Sequence, residues 1–144
     1  MSDARFEVHE IEHTADWAIR VRAPDLAGLF AGAATGMFAL LTPLAGVAPA
    51  ATWEFRHDAI DAETLLVDWL NELLFEADRR QIVFARFDIT LLQAEPGAPA
   101  ASLAGVASGG PAGTLSKAIK AVTFSGLHIV HDGAGCTADI VFDV

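Results

Sequence analysis

The sequence predicts an α+β fold: a mostly antiparallel sheet with two helices packed on one face, in a single domain spanning residues 1–144. Three observations predict it. Runs with an apolar residue at every second position occur near both ends, at Trp17, Ile19 and Val21 and again at Ala138, Ile140 and Phe142. Two other stretches repeat apolar residues at helical spacing. The order is strands, helix, strand, helix and then several strands, rather than a regular strand–helix alternation. A chain of 144 residues is the usual size of one domain with a core of its own.

Phe6, Val8 and Ile11 mark a first strand, and Trp17 to Val21, alternating with Arg20 and Arg22, a half-buried second one. Pro24 and Asp25 then interrupt, and Asp25 is suited to cap a helix. That helix carries Leu26, Leu29, Phe30, Ala33, Met37, Leu40 and Leu41 on one broad face and is stopped by Pro43. Gly28, Gly32 and Gly36, four apart, form a narrow stripe where another backbone can approach. Thr52 to His57 reads as a strand. Asp61 caps a second helix, in which Leu65, Leu66, Trp69, Leu70, Leu73 and Leu74 recur at helical spacing. Its Glu63 near the start and Arg79 and Arg80 at the end suit the helix dipole. A strand is expected over Ile82 to Leu92. Residues 95–116, rich in Gly, Ala, Pro and Ser, read as a long loop around a short strand near Ser102 to Ala107. A long strand is expected from Ile119 to His131, a hairpin turn at His131 to Gly135, and a last strand from Thr137 to Val144.

Composition narrows the function. With hydrophobic residues at 53%, charged residues at 19% and a net charge of -10, the chain is neither a disordered segment nor a direct binder of a nucleic-acid backbone, which requires clustered Lys and Arg. An acidic protein can still serve RNA chemistry by docking on a basic protein that holds the RNA. Cys136, the lone cysteine, allows no internal disulfide. It reads as a small packed residue rather than a nucleophile. The first ten residues lack a basic segment followed by an apolar one, so a cytoplasmic location is expected. The uncharged run from Leu26 to Trp53 contains Pro43 and Pro49, is flanked by Asp25 and Glu54, and reads as a buried helix rather than a membrane span.

No phosphate-binding glycine loop or nucleophile elbow is present; the glycines and lysine of residues 108–117 lack the P-loop spacing. Polar residues do gather at unusual positions. His9, Glu12, His13 and Asp16 precede an apolar strand, while Asp139, Asp143 and Val144 stand on or at the end of another. Asp is a poor strand residue. Carboxylates on neighbouring strands can bind a hard divalent cation, with main-chain oxygens completing the shell. They can also be solvated turn and edge residues, and the spacing alone favours that reading. His9 and His13, on an extended segment, fit a hydrogen-bonding role better than a zinc site.

Four blocks carry a resemblance to a known family. They are His13-Thr14-Ala15-Asp16, then Leu65-Leu66 with Trp69-Leu70-Asn71-Glu72-Leu73-Leu74, then Lys120-Ala121-Val122-Thr123, and finally Ile140-Val141-Phe142-Asp143-Val144. In this order, spanning nearly the whole chain, they resemble the archeases. The chain departs from the family pattern at Phe124 and Ser125, where Tyr and His are usual, and in the Gly/Ala/Pro-rich segment, where a Gly-Glu and a His are usual.

The resemblance implies a compact α+β protein binding a divalent metal, calcium, through Asp16, Asp143 and Val144. It implies no catalysis by this chain. The implied partner is a GTP-dependent RNA ligase of tRNA splicing and RNA repair, which joins 3′-phosphate or cyclic-phosphate ends to 5′-hydroxyl ends after accepting GMP on a histidine. The archease would promote that guanylylation and restore turnover. GTP and manganese would belong to the ligase, and RNA would be reached only through it; no membrane is implied. His13 and Lys120 either shape the site and partner contact or serve structure. Two further classes remain. A metal-dependent phosphoesterase would need more convergent carboxylates and histidines than the sequence supplies. A chaperone-like binding module would draw on the high apolar content and the glycine-striped helix.

Overall fold

The computed structural model describes residues 5–13, 16–95, 98, 100–113, 115 and 118–144, without the side chains at 12, 13 and 16. Among the described residues, eight strands and two α-helices, with a short 3-10 helix at Leu44–Gly46, follow in the order β1 (Glu7–His13), β2 (Asp16–Ala23), α1 (Leu26–Leu41), β3 (Ala51–Ala59), α2 (Ala62–Arg80), β4 (Val83–Gln93), β5 (Ala101–Gly110), β6 (Ala121–Val122), β7 (Val130–Asp132) and β8 (Gly135–Asp143). All pairings are antiparallel. The α+β class is as the sequence implies, and the N-terminal and C-terminal strand runs lie side by side, β2 against β8.

The helix boundaries follow from local chemistry. Asp25 Oδ1 accepts the Gly28 amide at 2.7 Å, and Asp61 Oδ1 accepts the Thr64 amide at 2.8 Å. Each satisfies a donor that the first helical turn leaves without a partner. At its other end α2 stops where Gln81 turns left-handed, φ 57°, and its amide returns to Ala77 and Asp78.

The strands sort into two sheets rather than one. β1-β2-β8-β6 form the first, with β7 also pairing β8, and β3-β5-β4 form the second. The reason lies in α1. Its buried residues run all the way round the helix, from Leu29 and Phe30 through Ala31, Ala33 and Ala34 to Met37 and Phe38. A helix apolar on every side needs cover on every side. Its glycine stripe faces the first sheet: a Cβ at Gly32 would lie 2.8 Å from Phe6 and Val21, and one at Gly36 2.7 Å from Val8. Its Phe38 instead meets Phe84 and Phe87 of the second sheet, with ring centroids 5.9 and 6.0 Å apart. Thus α1 lies between the sheets. Trp69 of α2, fully buried, joins the same core through Phe55 at 5.1 Å and Phe30 and Phe87 at 5.9 Å.

Two expected elements differ. The segment read as a loop around a short strand contains β5, ten residues long and the central strand of the second sheet. Its Gly105 and Gly109 lie against the β4 backbone at Asp88–Ile89 and Val83–Phe84, where a side chain would collide, so low β propensity here reflects close approach. The long strand expected from Ile119 to His131 is broken into β6 and β7, two and three residues long. Between them Gly126 adopts φ 63°, and the Leu127 amide bonds back to Phe124 O at 3.0 Å. The turn into β8 falls at Gly133 and Ala134 as expected, with Asp132 Oδ1 accepting the Ala134 amide at 2.7 Å.

Candidate functional site

The C-terminal end of β8 is where the candidate residues converge. β8 buries Ala138, Ile140 and Phe142 on its core face, which sends Asp139, Val141 and Asp143 to the opposite face. On one side it pairs with β2, and the last registered pair is Trp17 with Phe142. One further step brings the start of β2, at Asp16, alongside the end of β8, at Asp143. On the other side Ala121 pairs with Asp143, and the Lys120 amide donates to Asp143 O at 2.8 Å. Asp16 in turn pairs with His13 at the end of β1. Strand register therefore carries the backbones of His13, Asp16, Lys120 and Asp143 to one corner.

Asp143, Lys120 and Val144 are exposed there, Val144 by 40%. The side chains of His13 and Asp16 lie outside the described residues, as do Thr14 and Ala15. Among the described residues no group of three or more His, Cys, Asp or Glu side chains is placed to hold a metal ion. Aspartate carboxylates and main-chain oxygens, the donor types found at this corner in the sequence, are of the hard kind that suits calcium or another divalent cation.

The neighbouring candidates are engaged otherwise. Asp139 forms a two-point ion pair with Arg20 directly across the ladder, Nε to Oδ1 at 2.8 Å and Nη2 to Oδ2 at 3.0 Å. His9, on β1, is opposite Arg20 and exposed. Cys136 is buried at the head of β8, and burial, reinforced by Asp25 and Asp132, pushes its thiol pKa up, the opposite of what a nucleophile needs.

One polar residue that positions this corner was not singled out from the sequence. Asn71 on α2 clasps the backbone of Val122: its Oδ1 accepts the Val122 amide at 2.8 Å, and its Nδ2 donates to Val122 O at 3.2 Å. The side chain stands in for a neighbouring strand and holds β6, with Lys120 and Thr123 around it, against the helix. The signal available was a mid-helix Asn among leucines, a residue type that helices do not favour. Glu63 acts in the same way further along, its Oε2 accepting the Ile129 amide at 3.1 Å.

The comparisons with known proteins cover this whole arrangement. The archease protein family (MTH1598/TM1083) matches residues 9–144. The archease of Methanopyrus kandleri is 33% identical over 139 residues, 94% of this chain and 97% of that protein. That of Methanosarcina acetivorans is 33% identical over 138 residues, 93% of each. The solution structure of Methanobacterium thermoautotrophicum protein 1598 superposes with a TM-score of 0.76 at 27% identity, over 96% of this chain and 98% of that one. The crystal structure of a Thermotoga maritima archease, described as a possible chaperone, gives 0.59 at 19% identity over 93% and 94%, a likeness of fold. Blocks, fold and relatives agree over the same residues, and the chain belongs to the archease family.

Proposed function

We propose that this chain is a non-catalytic activator of a GTP-dependent RNA ligase in tRNA splicing and RNA repair, promoting guanylylation of the ligase and its multiple turnover. The observation that carries the reading is family membership across residues 9–144, which includes both ends of the candidate corner. The charge balance supports it: a net charge of -10 suits docking near a basic active-site mouth and opposes direct grip on RNA. GTP and manganese belong to the ligase, and RNA is met only through it.

In this reading Asp16, Asp143 and Val144 hold a divalent cation, calcium, at the corner. Their register at the ends of adjacent strands and their hard-oxygen chemistry favour it. His13 and Lys120 flank the cation and shape the contact with the partner.

The test is multiple-turnover ligation by the cognate ligase with GTP, manganese and an RNA bearing 3′-phosphate and 5′-hydroxyl ends. Added protein is expected to raise the turnover number, and folded Asp16→Ala to raise it less. An active ligase that gains nothing from the wild-type protein would overturn the activator reading and promote the phosphoesterase and chaperone-like ones.

A further inference from the structure

Residues 119–129 run antiparallel along α2, fixed at three points. Ile119 shares a recess with Leu74 and Asp78, Val122 is clasped by Asn71, and the Ile129 amide is held by Glu63. On this surface two large apolar rings are turned to solvent. Phe75 lies one turn beyond Asn71 and is 61% exposed; Phe124 lies two residues beyond Val122 and is 55% exposed. Around Phe75 on the outer face of α2, at helical spacing, stand Asp68, Glu72 and Asp78, the first and last exposed and Glu72 partly so; Arg79, also exposed there, has its charge engaged by Glu76, so the unpaired charge of the face is acidic. The face continues through β6, whose Ala121 pairs with Asp143 at the candidate corner.

We infer that this α2–β6 face, with Phe75 and Phe124 as anchors and Asp68, Glu72 and Asp78 as an acidic rim, is the surface that docks the partner protein. The inference rests on the activator reading and names its contact surface. Scattered single apolar side chains on a surface need no explanation. Two exposed phenylalanines on either side of one hydrogen-bonded clasp offer the large apolar area on which a protein contact can anchor. The carboxylates select the occupant: a protein surface whose apolar recess is rimmed by Lys and Arg, with like-charged surfaces and nucleic-acid backbones repelled. Because the face runs into the corner of Asp143 and Lys120, docking there would bring that corner to the partner as well.

The experiment measures, for the cognate ligase, both affinity by calorimetric titration and stimulation of multiple-turnover ligation. Wild type is compared with Phe75→Ser/Phe124→Ser and with Asp68→Lys/Glu72→Lys. All four positions are exposed or partly so, and circular dichroism would verify the fold. Each double variant is expected to lose affinity by about tenfold or more. Stimulation by the phenylalanine variant should recover at saturating concentration, since the corner is untouched. Wild-type affinity should fall as salt is raised, and less steeply for the charge-reversed variant. Variants that bind as tightly as wild type overturn this assignment while the activator reading stands. A wild-type protein that neither binds nor stimulates an active ligase overturns both.

Discussion

Glu76 is the single buried charged side chain among the described residues, 6% exposed on α2. Its carboxylate is held by Arg79 through two hydrogen bonds, 2.8 and 2.9 Å, with Arg80 Nε at 3.7 Å, and Arg80 also reaches Thr52 O on β3 at 3.3 Å. A buried carboxylate without such partners would be costly, so the charge and its arginines form one unit. The Arg79 hydrogen bonds hold the Glu76 carboxyl below its ordinary range, more strongly than burial opposes them. Asp61 shifts the same way because its carboxylate accepts from Thr64 at the cap. For a group whose folded pKa is depressed, the unfolded chain binds the proton first. The stabilisation is therefore present above the ordinary carboxylate pKa, about 4, and is lost as pH falls through the lower folded value. Urea unfolding is expected to show a midpoint that drops on acidification below about pH 5. Glu76→Gln should lower the midpoint at pH 7 and flatten that acid limb; an unchanged pH profile would remove Glu76 from the account. Asp61→Ala should cost about 1 kcal/mol at pH 7, the usual value of a lost cap, read in the same titrations.

At the scale of elements, the glycines divide into those that permit close packing and those in open space. In α1 the stripe at Gly32 and Gly36 seats the helix on Phe6, Val8, Ile19 and Val21. Gly36→Val would drive new methyls into Val8 and Ile19, and overpacking of that kind costs about 1–3 kcal/mol, beyond the gain in helix propensity. A lowered Tm is expected. In β5 the constraint is harder, because a side chain at Gly109 would meet the backbone of Val83 and Phe84 rather than a movable side chain. Gly109→Ala should destabilise by about 2 kcal/mol or more, whereas Gly113→Ala, with nothing within 4 Å, should leave Tm nearly unchanged. These same glycines mark what was legible in the sequence. Caps at Asp25 and Asp61 and the leucine period of α2 are local signals, and they gave α1 and α2 their observed starts. The strand β5 was obscured because its Ala, Ser and Gly answer to the strands on either side of it, not to local propensity. The break between β6 and β7 falls where Gly126 turns left-handed at φ 63° and the Leu127 amide bonds back to Phe124 O, a turn obscured in the sequence by the apolar residues on either side of it.

For the molecule as a whole, the corner at the end of β8 joins segments from opposite ends of the sequence. Asp16 and Asp143 stand out in the sequence as carboxylates beside or within apolar strands, and the family resemblance sets them at one site; spacing alone does not bring them together, because that depends on the β2–β8 register in which Trp17 pairs with Phe142. Lys120 is named by the resemblance as a candidate for site or partner contact; its backbone amide, bonded to Asp143 O, ties it to the corner irrespective of its charge. If a divalent cation bridges Asp16, Asp143 and Val144, it binds the folded chain and has no counterpart in the unfolded one, so it must stabilise by mass action. At a hundredfold excess over Kd the gain is about 2.7 kcal/mol, on the order of 8 °C in Tm for a domain of this size. Thermal unfolding of metal-stripped protein is therefore expected to shift upward as calcium is added. Asp143→Asn should abolish most of the shift. Asp139→Asn is the informative comparison: Asp139 occupies the same face of β8 but is engaged by Arg20, so its loss should lower Tm slightly and leave the calcium-dependent rise intact. An equal loss in both variants would mean that calcium acts on the general negative charge of the chain, and a rise surviving in Asp143→Asn would move the cation away from this corner.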